Sequence, residues 1–131
     1  MEFLEPEGWA KPRGYANGTK AKGELIFIAG QIGWNADQQF ETDDFAAQVD
    51  QALRNVVAVC RAGGAEPSHI TRMTWYITDK PAYLANLKQI GASWKAIMGR
   101  HFPAMAVVAV SALMEDRAKV EIEASAVIPE A

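Results

Sequence analysis

An amphipathic pattern in the middle of the chain restricts the possible folds more than any other feature. Apolar side chains recur there at helical spacing, at Phe45, Val49, Leu53, Val56, Val57 and Cys60. Thr42 can cap the start of this helix, and Asp43 and Asp44 suit its positively charged end. Gly63-Gly64 can end it. A helix with one apolar face needs an apolar layer to pack on, so the rest of the chain must provide one.

The remaining patterns predict strands and one further helix. The run 25–29 is apolar at every position and lies between glycines, which predicts a strand buried on both faces. Alternation predicts strands over 70–78 and 119–128, residues 105–110 form a further strand, and a short strand is expected near 15–19. Pro81 begins a second helix, which ends at His101-Phe102-Pro103.

The order β-β-α-β-α-β-β predicts an α+β fold with two helices on one face of a largely antiparallel sheet. Two helices cover only one face of a sheet, while the run 25–29 offers apolar side chains to both faces. The uncovered face would form a large apolar patch, and such patches usually mark interfaces. The sequence therefore predicts self-association.

Length and charge narrow the class of protein. The 131 residues contain no repeat or linker, which favours a single domain over residues 1–131. With 13 basic and 16 acidic residues, a net charge of −3 and no basic-aromatic cluster in the sequence, a nucleic-acid partner is not favoured. The acidic start does not resemble a signal peptide, and no apolar run approaches the roughly 18 residues that cross a membrane. A single cysteine forms no internal disulfide, and we expect a cytoplasmic protein.

The sequence lacks the common motifs for metals, nucleotides and nucleophiles. His69 and His101 are isolated, and Cys60 falls on an apolar helix face, so neither a metal site nor a cofactor is expected. Glu121 and Glu123 share one face of the last strand. Their spacing favours a solvated strand face, and the alternative is a carboxylate that positions water in an interface pocket.

Other candidate residues also leave two interpretations open. Gly30-Gln31 fits either a simple turn or the rim of a ligand pocket. Tyr15 is either a packing aromatic or a pocket residue. Arginines such as Arg13 and Arg100 are either anion anchors or ordinary surface charges.

Five segments in order and register carry a resemblance to a known family. They are Gly14-Tyr15, the segment from Phe27 to Ile32, the helix 43–62 with Gly63-Gly64, Phe102-Pro103-Ala104, and the segment from Val120 to Ala124. The chain resembles the RidA/YjgF family of enamine/imine deaminases from about residue 15 to residue 127. The resemblance implies a chorismate-mutase-like fold and a homotrimer with active sites at the subunit interfaces. It also implies cofactor-free hydrolysis of reactive enamines and imines, such as 2-aminoacrylate, to a keto acid and ammonia.

The resemblance assigns roles to individual residues. Glu121 matches the acidic residue that orients the attacking water, and Tyr15 matches the pocket tyrosine. Gly30 and Gln31 match the pocket loop after the first long strand.

One departure from the family pattern changes the expected substrate. Met105 replaces the arginine that clamps the substrate carboxylate in the deaminating branch. Losing such a pair costs about 1.5–3 kcal/mol, or roughly ten- to a hundredfold in binding. Val107 also makes the pocket more apolar, and Trp34 is expected at its mouth. The substrate is then less charged or larger than 2-aminoacrylate, or another arginine such as Arg13 replaces the clamp.

These residues lead to three functional hypotheses. The first is a hydrolytic deaminase of enamine or imine metabolites, with a substrate other than 2-aminoacrylate. The second is a non-enzymatic trimer that binds small metabolites or regulates through them, which the missing arginine favours. The third is a ribonuclease or translation inhibitor, and the charge balance argues against it.

Overall fold

The computed structural model describes residues 1–131 and contains six strands and three α-helices. The strands are β1 (Glu2–Leu4), β2 (Gly18–Lys20), β3 (Gly23–Ile32), β4 (Ile70–Ile77), β5 (Ala104–Ala109) and β6 (Val120–Pro129). The helices are α1 (Phe45–Ala62), α2 (Lys80–Ala85) and α3 (Leu87–Met98). The predicted α+β class is confirmed. None of the helices is long and apolar enough to cross a membrane.

The main sheet has four strands in the order β3-β6-β4-β5. The β3–β6 and β6–β4 pairs are antiparallel, while the edge strand β5 runs parallel to β4. A separate ribbon pairs β1 with β2. The sheet is therefore largely antiparallel, as the sequence predicts, with one parallel edge.

The core lies between this sheet and the helices. Helix α1 packs on β3, β6 and α3, with Val49 and Leu53 fully buried. The inner face of the sheet supplies Met73, Trp75 and Ile122, all at most 1% exposed. Burying a large apolar side chain of this kind stabilises a fold by about 1.5–3 kcal/mol.

The opposite face of the sheet is bare in the single chain. Phe27 is 78% exposed and Leu25 is 59% exposed, whereas Ile28 between the helices and the sheet is 3% exposed. The prediction that the run 25–29 is buried on both faces is therefore wrong for one chain. Side chains alternate along a strand, and only the inner face meets the helices. The bare apolar face from which we infer self-association is present.

Three local predictions differ from the structure. Asp44 rather than Thr42 caps α1, because its carboxylate accepts from the Ala47 N–H at 2.9 Å. The predicted second helix is split into α2 and α3 at Asn86, a residue type that competes with regular helical bonding. Strand β1 forms in a segment expected to be irregular, because its pairing with β2 is not visible in local sequence.

Candidate functional site

A cavity of about 710 Å³ lies between the edge strand β5 and helix α3. Met105 and Val107 line it from β5, and Arg13 and Tyr15 line it from the N-terminal loop. Four of the predicted site residues therefore meet in one cavity, although about ninety residues of sequence separate the two segments.

The parallel register places the β5 residues on the inner face of the sheet. Met105 pairs with Met73 of β4, and Val107 pairs with Trp75. Because Met73 and Trp75 are core residues, their β5 partners share the face that α3 covers. Met105 therefore lines the cavity while also packing on the core.

A backbone contact brings Tyr15 to this strand. The N–H of Ala16 donates to the carbonyl of Pro103 at 2.9 Å, and Ala16 bridges Ala104 at the start of β5. Gly14 has a φ of +77°, a conformation that glycine adopts without strain. The glycine turn and this hydrogen bond hold Tyr15 beside the cavity, where it is 42% exposed.

Aromatic rings that the sequence assigns to core and helix faces form a large part of the cavity wall. Trp94 stacks on Phe102 with ring centroids 5.7 Å apart and an angle of 7°. The ring centroid of Trp75 lies 6.2 Å from that of Trp94 and 6.5 Å from that of Tyr83, which it meets edge-on. The helical and strand periodicity of Tyr83, Trp94 and Trp75 predicts burial only, so no sequence signal marks these three rings as cavity residues.

The charges at the cavity are all positive. Arg13, Lys95 and Arg100 line it, and none of its 15 lining residues is acidic. The sequence raised Arg13 and Arg100 as possible anion anchors, and the structure brings both to the same cavity. This cluster of cations and aromatic rings also corrects the expectation that the chain has no basic-aromatic cluster.

Glu121 and Gly30 lie together elsewhere, on the bare face of the sheet. Ile122 is buried, so Glu121 next to it in β6 faces away from the helices. A Cβ atom added at Gly30 would lie 2.5 Å from Glu121 Oε2. Glycine therefore leaves the space that the Glu121 carboxylate occupies.

Gly30 and Gln31 belong to β3 rather than to a loop after it. The expected loop is wrong because β3 continues to Ile32 past a break in register between Ile28 and Gln31. Such a bulge redirects side chains without ending the strand. The Gln31 amide donates to the carbonyl of Ala29 at 3.0 Å.

A tyrosine that the sequence analysis did not select adjoins Glu121. Tyr76 of β4 pairs with Glu121 in the sheet, and its hydroxyl donates to Glu123 Oε1 at 2.5 Å. The hydrogen bond to Glu123 raises the pKa of Tyr76, with smaller contributions from desolvation and from the nearby carboxylates. The Tyr76 hydroxyl thus keeps its proton and donates it in the hydrogen bond to Glu123, not to Glu121.

Trp34 does not line the cavity between β5 and α3 in the single chain. It packs beside Phe40, with ring centroids 5.8 Å apart, in a surface depression that includes Arg117. Its expected place at the mouth of the pocket is therefore not seen within one chain.

The two groups of predicted residues cannot meet within one chain. Glu121 pairs with Tyr76, and Tyr76 pairs with Val108 of β5, so two strand spacings of about 4.8 Å each separate Glu121 from the edge strand. Glu121 also faces the bare side, whereas Met105 and Val107 face the helices. A site that contains both groups needs a second copy of the chain.

Metal ligation has no support in the side-chain arrangement. No group of three or more His, Cys, Asp or Glu side chains is placed to hold a metal ion. Both histidines bond to the backbone instead: His69 Nδ1 accepts from the Glu66 N–H, and a His101 ring nitrogen lies 2.6 Å from the carbonyl of Ile70.

Comparison with known proteins supplies the family. Residues 10–128 match the family model described as Endoribonuclease L-PSP. A 2-iminobutanoate/2-iminopropanoate deaminase of Escherichia coli strain K12 is 35% identical over 108 residues, which is 80% of this chain and 80% of the relative. The chain belongs to the RidA/YjgF family. Another relative, Protein DfrA of Myxococcus xanthus, is 36% identical over 110 residues, covering 80% of this chain and 77% of that protein.

Solved RidA/YjgF structures confirm the fold expected from the resemblance. The Rid-family protein YyfB of Yersinia pestis has a TM-score of 0.84 and 32% identity, covering 97% of this chain and 98% of that chain. TdcF of Escherichia coli, solved with bound serine, has a TM-score of 0.69 and 30% identity, covering 98% and 99%. Trimers are the known state of the RidA/YjgF family.

Proposed function

We propose that this chain is a hydrolytic deaminase of enamine or imine metabolites that works as a homotrimer. The observation that carries the proposal is the cavity between β5 and α3, which collects Tyr15, Met105 and Val107 but no acidic residue. Glu121 would enter the same site from a neighbouring copy. A relative 35% identical to this chain is named 2-iminobutanoate/2-iminopropanoate deaminase, which supports this reaction class.

The proposed trimer buries the bare sheet face against other copies. Phe27 and Leu25 on that face are 78% and 59% exposed in one chain. Removing apolar surface from water is worth about 25 cal/mol per Å², so a face of this kind favours association. Association would also bring another subunit next to the exposed side of Glu121. We place the active site between these two subunits. We further expect the protein to act in the cytoplasm.

In the proposed mechanism Glu121 holds a water molecule and takes one of its protons. The remaining hydroxide adds to the imine carbon, and Glu121 passes the proton to the imine nitrogen, which gives a tetrahedral amino alcohol and regenerates the carboxylate. Return of the hydroxyl proton to nitrogen then releases ammonia and leaves a carbonyl product. An enamine enters the same path after it takes a proton on carbon. A positioned acid or base contributes roughly 10²–10⁴-fold to such a proton transfer.

Tyr15 and the Gly30-Gln31 segment position the substrate in this scheme. The Tyr15 hydroxyl is both a donor and an acceptor, and it lies on the cavity side of the site. The absence of a side chain at Gly30 leaves room for the Glu121 carboxylate. Metal and cofactor have no part in the proposal.

The substrate is proposed to be larger than 2-aminoacrylate. Met105 and Val107 present an apolar wall where the deaminating branch carries a clamping arginine. A volume of about 710 Å³ is within the range of roughly 300–1,000 Å³ that holds drug-sized ligands. A substrate of only a few heavy atoms would leave much of this cavity unfilled.

Replacing Glu121 by Gln tests the proposed role. Imines generated in situ from amino acids should release ammonia faster than by spontaneous hydrolysis with the wild type, and the excess rate should fall at least roughly a hundredfold in Glu121→Gln. Glu123→Gln is the matched control, since it removes the same charge from the same strand face. Equal excess rates for Glu121→Gln and wild type would remove Glu121 from the mechanism.

A non-catalytic trimer that binds metabolites is the second candidate, favoured by the replacement of the clamping arginine with Met105. Met105→Arg separates the two. If the catalytic parts are intact, this variant should gain hydrolysis of 2-aminoacrylate, measured as ammonia release. Metabolite binding without turnover by wild type and variant alike would favour the binding protein instead. RNA cleavage abolished by Glu121→Gln would revive the ribonuclease hypothesis.

A further inference from the structure

A row of four aromatic rings lies along the cavity between β5 and α3, of which Phe102 is 37% exposed and Trp75 and Trp94 are 1% and 6% exposed. Tyr83, Trp75, Trp94 and Phe102 follow one another with centroid distances of 6.5, 6.2 and 5.7 Å, and all four line the cavity. Aromatic walls of this extent bind flat rings and large apolar groups, through buried area and through stacking. Three of these rings, Tyr83, Trp75 and Trp94, lie outside the segments that carry the family resemblance, whereas Phe102 belongs to one of them.

The positively charged side chains at the cavity rim determine which ligand charge the cavity favours. Aromatic cages also attract cations, but here Arg13, Lys95 and Arg100 would repel them. None of the three takes part in an ion pair within the chain. An all-positive rim on a protein of net charge −3 favours an anionic group at this place.

We propose that the cavity recognises carboxylates with an aromatic or large apolar side chain, held at the carboxylate by Arg13 and Arg100. A guanidinium offers the paired donors that match a carboxylate, which Lys95 does not. Each arginine is next to a glycine with a positive φ: Arg13 precedes Gly14, at +77°, and Arg100 follows Gly99, at +66°. The clamp lost at Met105 is thus rebuilt from two loops. This inference rests on the proposed function for the reaction that the bound molecule undergoes. It adds the class of substrate on which that reaction acts.

Stable ligands test this without any turnover. Isothermal titration of the full chain, in its own oligomeric state, compares 3-phenylpropanoate with propanoate and with 3-phenylpropanamide. The acid should bind at least roughly tenfold more tightly than either, since propanoate lacks the ring and the amide lacks the charge. Quenching of tryptophan fluorescence should accompany binding, because Trp75 and Trp94 line the cavity.

Two variants locate the anchor. The double variant Arg13→Gln/Arg100→Gln should lose the preference for the acid over the amide, with roughly ten- to a hundredfold weaker acid binding. Lys88→Gln is the matched control, since Lys88 is an exposed cation of α3 that does not line the cavity. Equal binding of acid and amide by the wild type would overturn the inference, as would unchanged acid binding by the double variant. Tighter binding of an adenosine or uridine monophosphate than of the acid would also overturn it.

The outcomes separate this inference from the proposed function. Tight binding of 3-phenylpropanoate without hydrolysis of the imine of phenylalanine supports the cavity's ligand class and counts against the deaminase. Rapid hydrolysis of small imines with no binding of 3-phenylpropanoate leaves the deaminase standing and overturns the ligand class.

Discussion

Gly30→Ala offers a direct test of how the sheet positions Glu121. Gly30 has an ordinary φ, so the backbone of β3 accepts alanine at this position. The new methyl group, however, enters the space of the Glu121 side chain. We therefore expect this variant to fold normally and to lose activity.

The size of the effect follows from the contact distances. The added Cβ would lie 2.5 Å from Oε2, 2.7 Å from Cδ and 2.9 Å from Cγ of Glu121, whereas ordinary contact begins at 3.4 Å. The carboxyl group must retreat by the difference between 2.5 and 3.4 Å, which is close to 0.9 Å. A misplacement of about 1 Å at a reacting group can cost roughly 10²-fold in rate. Stability should change little or rise, because alanine in a strand interior is better than glycine by about 0.5–1 kcal/mol.

The assay is ammonia release from imines generated in situ, with the spontaneous rate subtracted. Gly30→Ala should reduce kcat/KM roughly a hundredfold in the wild-type background. In a Glu121→Gln background the same substitution should have little further effect, because the two changes act through one group. Equal losses in both backgrounds would show that Gly30 acts independently of Glu121. A wild-type rate for Gly30→Ala would refute the reasoning from the contact.

Two further predictions concern stability. Gly33→Ala should lower the free energy of unfolding by about 1–3 kcal/mol in urea titrations, because its Cβ would lie 2.8 Å from the Cα of Gln48 in the α1 backbone. An unchanged midpoint would contradict this. Burial opposes ionisation of Asp50, but hydrogen bonds from Arg54 and Ser93 outweigh it and lower the pKa of Asp50. A lowered carboxyl pKa stabilises the fold above the unfolded-state pKa and ceases to do so as the pH falls through the folded-state pKa. Ser93→Ala should therefore destabilise the protein at neutral pH and not in strong acid, and an equal loss at both would contradict the role of the Asp50 charge.

Local sequence patterns predicted much of the fold. The apolar spacing from Phe45 to Cys60 predicts α1, and the alternation around Ile122 places Glu121 on the outer face, because helix and strand periodicities survive in the sequence. The residues at which helices begin and end were harder to predict from the sequence. Asp44 caps α1 through one side-chain hydrogen bond, and Asn86 ends α2 with a backbone bond to Tyr83 and a side-chain bond to Ala82. Several neighbouring residues could have formed similar bonds.

For the candidate site, the sequence identified several residues but did not predict how they are arranged in space. The family motifs singled out Tyr15, Gly30, Met105 and Glu121, but they did not reveal that one chain keeps Tyr15 and Met105 on one side of the sheet and Glu121 on the other. They also gave no sign that Tyr83 and Trp94 form part of a cavity wall, since a buried ring and a cavity ring have the same helical spacing.

The sequence by itself determined the fold class, the family and the replacement of the clamping arginine by Met105, because each depends on residue identity and local period. Only the tertiary structure decided which residues share a cavity. The parallel β4–β5 register and the Ala16–Pro103 hydrogen bond bring Arg13, Tyr15 and Met105 together. Such contacts join segments far apart in the chain, and local propensity holds no information about them.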